Sequence, residues 1–195
     1  NQLDKGFTLG NISIVYSQQK NYTAALEYLH QSLEIFRSLG NRQAEANAYL
    51  NIGKAYRGLN DHEKAIEYEL KALKLHEDIA DLSGKSSTLL YIGEIYLSIG
   101  NYEKAKEFFV NGLRVAQDIG DTINETNAYL QMGEFFSKTN NHAIALDNLS
   151  MALKLSESRD AKQDLSKVHL LFYEIYKSTG IYDKAFEHFE KHFKL

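Results

Sequence analysis

The 195-residue chain contains no cysteine, no proline and no tryptophan. The absence of cysteine excludes a disulfide framework, a thiolate metal site and a thiol nucleophile, and leaves the redox compartment unreadable. No run of 18 or more apolar residues occurs, so no segment reads as a membrane span. A surplus of positive charge is missing as well. The 22 Lys and Arg stand against 26 Asp and Glu, a formal charge of −4 spread along the chain. A phosphate backbone needs clustered cations to displace its counterions, so nucleic acid is not expected as a partner. What is present is an ordinary globular composition, 44% apolar and 25% charged, too apolar for disorder. Its length suits one domain with a sizeable core or a short array of repeats. A cytoplasmic location is expected. Opening without Met and closing in mid-pattern, the chain is consistent with a piece of a longer protein.

Self-similarity organises the sequence. Ala25, Ala65, Ala105, Ala145 and Ala185 recur every 40 residues without an insertion or deletion. Twelve residues before them stand Ser13, Gly53, Gly93, Gly133 and Tyr173, and nine before them the aromatics Tyr16, Tyr56, Tyr96, Phe136 and Tyr176. Within a copy, Leu89, Ile92, Gly93 and Tyr96 share one face, and Tyr102, Ala105, Phe108, Phe109 and Leu113 another, at the three- and four-residue spacing of a helix. Turn signals separate these faces. Lys20, Asn60, Gly100, Asn140 and Gly180 occupy the stop position inside each pair, four of them residues that tolerate the left-handed conformation. Asn21, Asp61, Asn101 and Asn141 follow as candidate N-caps, with Ile181 the exception, and Gly40-Asn41, Ala80-Asp81 and Gly120-Asp121 repeat the pattern between copies. The spacing predicts ten helices of roughly 14–18 residues. Small residues on one helix of a pair are expected to admit a large aromatic of its partner. A single helical hairpin cannot bury its apolar face, so neighbouring copies must stack.

Gly53 with Tyr56, Ala65 with Ala72, and Gly93 with Tyr96 and Ala105 resemble the signature of the tetratricopeptide repeat (TPR). The resemblance covers the whole chain and implies an all-α fold, an α-solenoid of five helical hairpins wound as a right-handed superhelix. The repeats run over approximately 3–40, 41–80, 81–120, 121–160 and 161–195 in a single array. The usual TPR has 34 residues and often a proline near its end; with 40 and no proline, this chain is similar to the long repeats of Pins-type polarity adaptors. Long TPRs also occur in Rap-type bacterial peptide receptors and in sensory segments of some bacterial histidine kinases and nucleotide cyclases. Ser13 and Tyr173 depart from the small residue of the signature, Gly112 and His192 from its second alanine, and Glu69-Leu70 stands where two apolar residues are common.

No nucleophile–base pair, carboxylate pair or phosphate loop is discernible, so no catalytic residue is assigned and no enzyme activity or cofactor is expected. His188 and His192, four apart on the last helix, are the best metal candidates, yet lack the His-Glu-x-x-His order, and no metal site is assigned. His62 and His142 take the place of a tyrosine found in the other copies and read as packed rings.

Binding is better supported. The resemblance implies a concave side lined by the first helix of each pair, where the residues off the packing face are Leu50, Lys54 and Arg57; Leu90, Glu94 and Leu97; Leu130, Glu134 and Ser137; and Leu170, Glu174 and Lys177. Gly10, Ile14 and Ser17 belong to the first copy. Beside this stripe lie Asn11, Asn51, Tyr91 and Gln131, amide and phenol groups able to bond the backbone of an extended peptide. The four leucines either fill the seams between helices or form an apolar ridge for a ligand. At a repeat spacing of about 10 Å, Glu94, Glu134 and Glu174 form a row that invites basic residues, with Lys54 and Arg57 marking an electropositive end. Against this, Glu134 can pair with Lys138 and Glu174 with Lys177 along their own helices.

On the last helix Phe186, Phe189, Phe193 and Leu195 leave an apolar stripe with no following repeat. Continuation of the natural chain or self-association at this end is expected. The leading expectation is a non-enzymatic signalling scaffold that grips a protein or peptide segment in its groove, with neither nucleic acid nor membrane as partner. The alternative is the sensory or regulatory segment of a larger bacterial histidine kinase or nucleotide cyclase. A Rap-like receptor would need an additional N-terminal helical bundle.

Overall fold

Each copy of the repeat folds into two antiparallel helices, and the turns show why. The computed structural model describes all 195 residues as ten α-helices without a strand: α1 (Gln2–Gln18), α2 (Tyr22–Ser38), α3 (Arg42–Gly58), α4 (His62–Asp78), α5 (Leu82–Ser98), α6 (Tyr102–Ile119), α7 (Thr122–Lys138), α8 (His142–Ser158), α9 (Lys162–Ser178) and α10 (Tyr182–Lys194). Every turn contains one left-handed residue: Lys20, Gly40, Asn60, Ala80, Gly100, Gly120, Asn140, Asp160 and Gly180. The left-handed residue lets the next amide reach back over five residues, as Asn21 N–H does to Tyr16 O (2.9 Å) and Asp81 N–H to His76 O (2.8 Å). Ala80 and Lys20 adopt this conformation at φ +55° and +59° although neither favours it. The cap geometry, rather than residue preference, therefore fixes the turn.

The following residue caps the new helix. Asn21, Asn41, Asp61, Asp81, Asn101 and Asp121 each accept a backbone N–H at the third position beyond them. Asn141 departs from the expected pattern. Its carboxamide instead donates to Thr139 O (3.0 Å) and Thr139 Oγ1 (3.1 Å), an alternative that the hydroxyl of the preceding turn provides.

The chain divides into two compact units, residues 1–100 and 101–195. In the first, Leu29, Leu33 and Phe36 of α2 pack with Ala44, Ala48, Tyr49 and Ile52 of α3 and with Ala72 and Leu75 of α4. In the second, Leu149 and Ala152 of α8 pack with Leu130 of α7 and with Val168, Phe172 and Ile175 of α9. Helices thus pack mainly on their neighbours in sequence. The glycines of the first helices permit close approach, to an aromatic at Gly6, where a β-carbon would lie 2.8 Å from the Phe36 ring, but to other side chains at the repeated position: a β-carbon on Gly53 would lie 2.8 Å from Glu69 Oε1, and one on Gly133 2.7 Å from Leu149 Cδ2. Only Ala185 of α10 is buried, and Tyr182, Phe186, Phe189, Phe193 and Leu195 are exposed. No helix is long and apolar enough to cross a membrane.

Candidate peptide-binding face

In the first unit, α1, α3 and α5 carry the residues assigned to a groove. The leucines resolve towards the core: Leu50 and Leu90 are buried, and in the second unit Leu130 is buried while Leu170 is half-buried. Leu50 joins the core of α2, α3 and α4, and Leu130 that of α7, α8 and α9. Of the two alternatives, these three leucines thus follow the one in which they fill seams between helices, where an apolar side chain gains from burial.

Asn11 is exposed and Asn51 half-buried, and they border one cavity of about 140 Å³ between α1, α2 and α3. Phe7, Gly10, Ile14 and Asn47 line it as well. Phe7 and Asn47 were not singled out from the sequence. The signal was available, because they lie one turn before Asn11 and Asn51 on the same faces.

The charged groups are largely spent within the fold. Arg57 forms an ion pair with Glu94, and Lys54 sits 4.3 Å above the ring of Tyr91. The electropositive end expected at Lys54 and Arg57 is thereby muted in the first unit. Glu69 is buried behind these cations with one carboxyl oxygen lacking a hydrogen-bond partner. Burial pushes its pKa up to about 8, partly offset by Lys54 and Arg57 and reinforced by Glu94. In the second unit Glu134 pairs with Lys138 at 2.7 Å, as its helical spacing allows. Glu174 is exposed, and Lys177 turns instead towards the ring of Tyr173, 5.3 Å away. Gln131 is half-buried beside Glu134 in sequence. Two of the three carboxylates expected to invite a cation are thus already paired.

His188 and His192 do not converge. His188 Nδ1 lies 2.9 Å from His169 Nδ1 with its ring stacked on Phe172, whereas His192 Nδ1 meets Ser166 Oγ at 2.8 Å. No group of three ligand-type side chains is close enough to hold a metal ion.

Residues 5–78 and 87–119 match family models of the tetratricopeptide repeat. No curated protein matches the chain in sequence. Among solved structures it is similar to aspartyl phosphate phosphatase F from Bacillus subtilis (TM-score 0.82, 17% identity), over 100% of this chain and 60% of that one. It is similar to a Rap protein complexed with competence and sporulation factor (TM-score 0.80, 14% identity), over 100% of this chain and 64% of that one. A signal transduction ATPase with numerous domains and a tetratricopeptide repeat sensor, from Pyrococcus horikoshii, is similar at TM-score 0.74 and 19% identity, over 98% of this chain and 33% of that one. At these identities the likeness concerns the fold.

Proposed function

We infer that this chain of tetratricopeptide repeats is a protein-interaction scaffold that binds an extended peptide or protein segment on the face of its first helices, without chemistry of its own. The supporting observation is the α1–α3 face of the first unit. There Asn11, Asn47 and Asn51 flank an open cavity, and none of their carboxamides is engaged in a hydrogen bond within the fold. Such groups are free to pair with the N–H and C=O of a ligand backbone. The likeness to a Rap protein complexed with competence and sporulation factor supports the reading at the level of fold. The muted charges of α3 and α5 favour a ligand read through its backbone over one read through basic residues.

Selection from a displayed random-peptide library tests this. Binders are expected to lose at least about 10-fold in affinity against Asn11→Ala/Asn51→Ala, the effect of two lost hydrogen bonds, while the melting temperature is retained. Failure to select any binder, or binders indifferent to this double substitution, overturns the reading.

A second reading makes the same repeats the sensory segment of a larger bacterial signalling protein such as a histidine kinase or nucleotide cyclase. The likeness to the repeat sensor from Pyrococcus horikoshii supports it at the level of fold. The full reading frame discriminates: an adjoining catalytic domain favours this reading, and its absence the free-standing scaffold.

A further inference from the structure

The repeat register isolates one anomaly. The position held by Leu50, Leu90, Leu130 and Leu170 in four copies is held by Gly10 in the first. Three of those leucines are buried, so Gly10 leaves a side chain's worth of space where its counterparts fill a seam. That space is the cavity of about 140 Å³.

Close packing does not explain this glycine. A β-carbon on Gly6 would lie 2.8 Å from the Phe36 ring and one on Gly53 2.8 Å from Glu69, but one on Gly10 would meet only Ser32 Oγ, at an ordinary 3.7 Å. Gly10 also sits inside α1, where glycine costs about 1 kcal/mol relative to alanine. The fold thus bears both a weakened helix and an unfilled hollow. Around the hollow, Phe7 and Ile14 stand half-exposed one turn either side of Gly10, so the rim is apolar. Asn11, Asn47 and Asn51 bring uncharged donors and acceptors to the same opening from two helices.

We propose that the Gly10 cavity is a side-chain subsite for a leucine- or phenylalanine-sized residue of an extended peptide, whose backbone on either side is held by Asn11, Asn47 and Asn51. The proposal rests on the scaffold reading and adds the chemistry of the residue that is recognised. The size agrees, since an apolar cavity of about 150 Å³ accommodates benzene. Carboxamides suit a peptide backbone because each offers both a donor and an acceptor and imposes no charge preference. The subsite takes from the ligand the side chain that the first copy omits.

The test uses the full chain, labelled with ¹⁵N, titrated with acetylated and amidated Ser-Ala-Leu-Ala-Ser and with the same peptide carrying Gly or Lys at its centre. The leucine peptide is expected to shift the side-chain amide signals of Asn11, Asn47 and Asn51 and the Gly10 backbone amide. The glycine and lysine peptides should bind at least about 10-fold more weakly, the effect of losing one buried leucine side chain. Gly10→Leu should raise the melting temperature by a few degrees while abolishing these shifts, since it strengthens the helix and plugs the cavity. Gly10→Ala, whose β-carbon fits without a clash, should weaken binding in between and keeps the test independent of how well leucine packs. Equal binding of the three peptides, no shift at about 10 mM peptide, or undiminished binding to Gly10→Leu would overturn the subsite. Library-selected peptides that bind but ignore Gly10→Leu would overturn the subsite and leave the scaffold standing. If the library yields nothing, the scaffold reading itself falls.

Discussion

Glu69 shows how much one side chain can impose on a repeat. The repeat places it in the slot of Leu29, Phe109 and Leu149, all fully buried, and it is buried with them. Burying an ionised carboxylate without full pairing is costly, so the folded chain holds the acid protonated to about pH 8. The unfolded chain ionises near 4.5, and between these values the folded state binds more protons. Stability contributed by the neutral acid is therefore complete below about 4.5 and is lost as pH rises towards about 8, on the order of 1 kcal/mol per pH unit. Thermal melts of the wild type should shift downward between about pH 6.5 and pH 8, above the range in which the histidines titrate. Glu69→Gln should flatten that slope, and an equal slope in the variant would exclude Glu69 as its source. The sequence shows that Glu69-Leu70 breaks the apolar pattern, but how deeply it is buried, and beside which cations, depends on helix packing.

At the scale of the element, the α9–α10 hairpin has the opposite pH dependence. His188 lies between His169 and Phe172, and burial, with His169 and Lys191 next, pushes its pKa down to about 4; burial lowers that of His169 too. As pH falls below about 6.5 the unfolded chain takes up protons that the folded hairpin refuses until about 4, so stability is lost across that window. Circular dichroism melts of Glu69→Gln, which lacks the opposing titration of Glu69, should show a drop between pH 7 and pH 5 that adding His188→Phe reduces, with the ring stacking retained; an undiminished drop would place the acid sensitivity elsewhere. The helices themselves were legible in the sequence, because the turn residues and caps are local. Asn141 marks the limit: its type reads as a cap, yet Thr139 claims its carboxamide.

For the molecule as a whole, contacts between sequence neighbours mean that each helix draws its stability chiefly from the helices beside it. Resistance to local opening should then follow burial. Within the second unit, α7 buries Asn124, Thr126, Ala128, Leu130, Gly133 and Phe135, whereas α10 buries Ala185 alone. Native-state hydrogen exchange should find the amides of α10 opening about 100-fold or more faster than those of α7, as expected for a helix with few buried contacts. Equal protection would show that the unit opens only as one cooperative block. The exposed rings Phe186 and Phe193 belong to this weakly held helix.

Periodicity, turn residues and caps were sufficient to specify ten helices in repeating pairs, because each signal acts over a few residues of chain and the repeat reinforces it. The candidate face was legible only in outline. Asn11 and Asn51 border one cavity, whereas Leu50, Leu90 and Leu130 face inward, and Arg57 and Glu94 satisfy each other. Such outcomes depend on which residues of different helices meet, and helical spacing along one segment carries no information about the distance to the next. The hollow at Gly10 combines both levels: the missing side chain is written in the register, while the open space it leaves exists only because α2 and α3 pack around it without closing it.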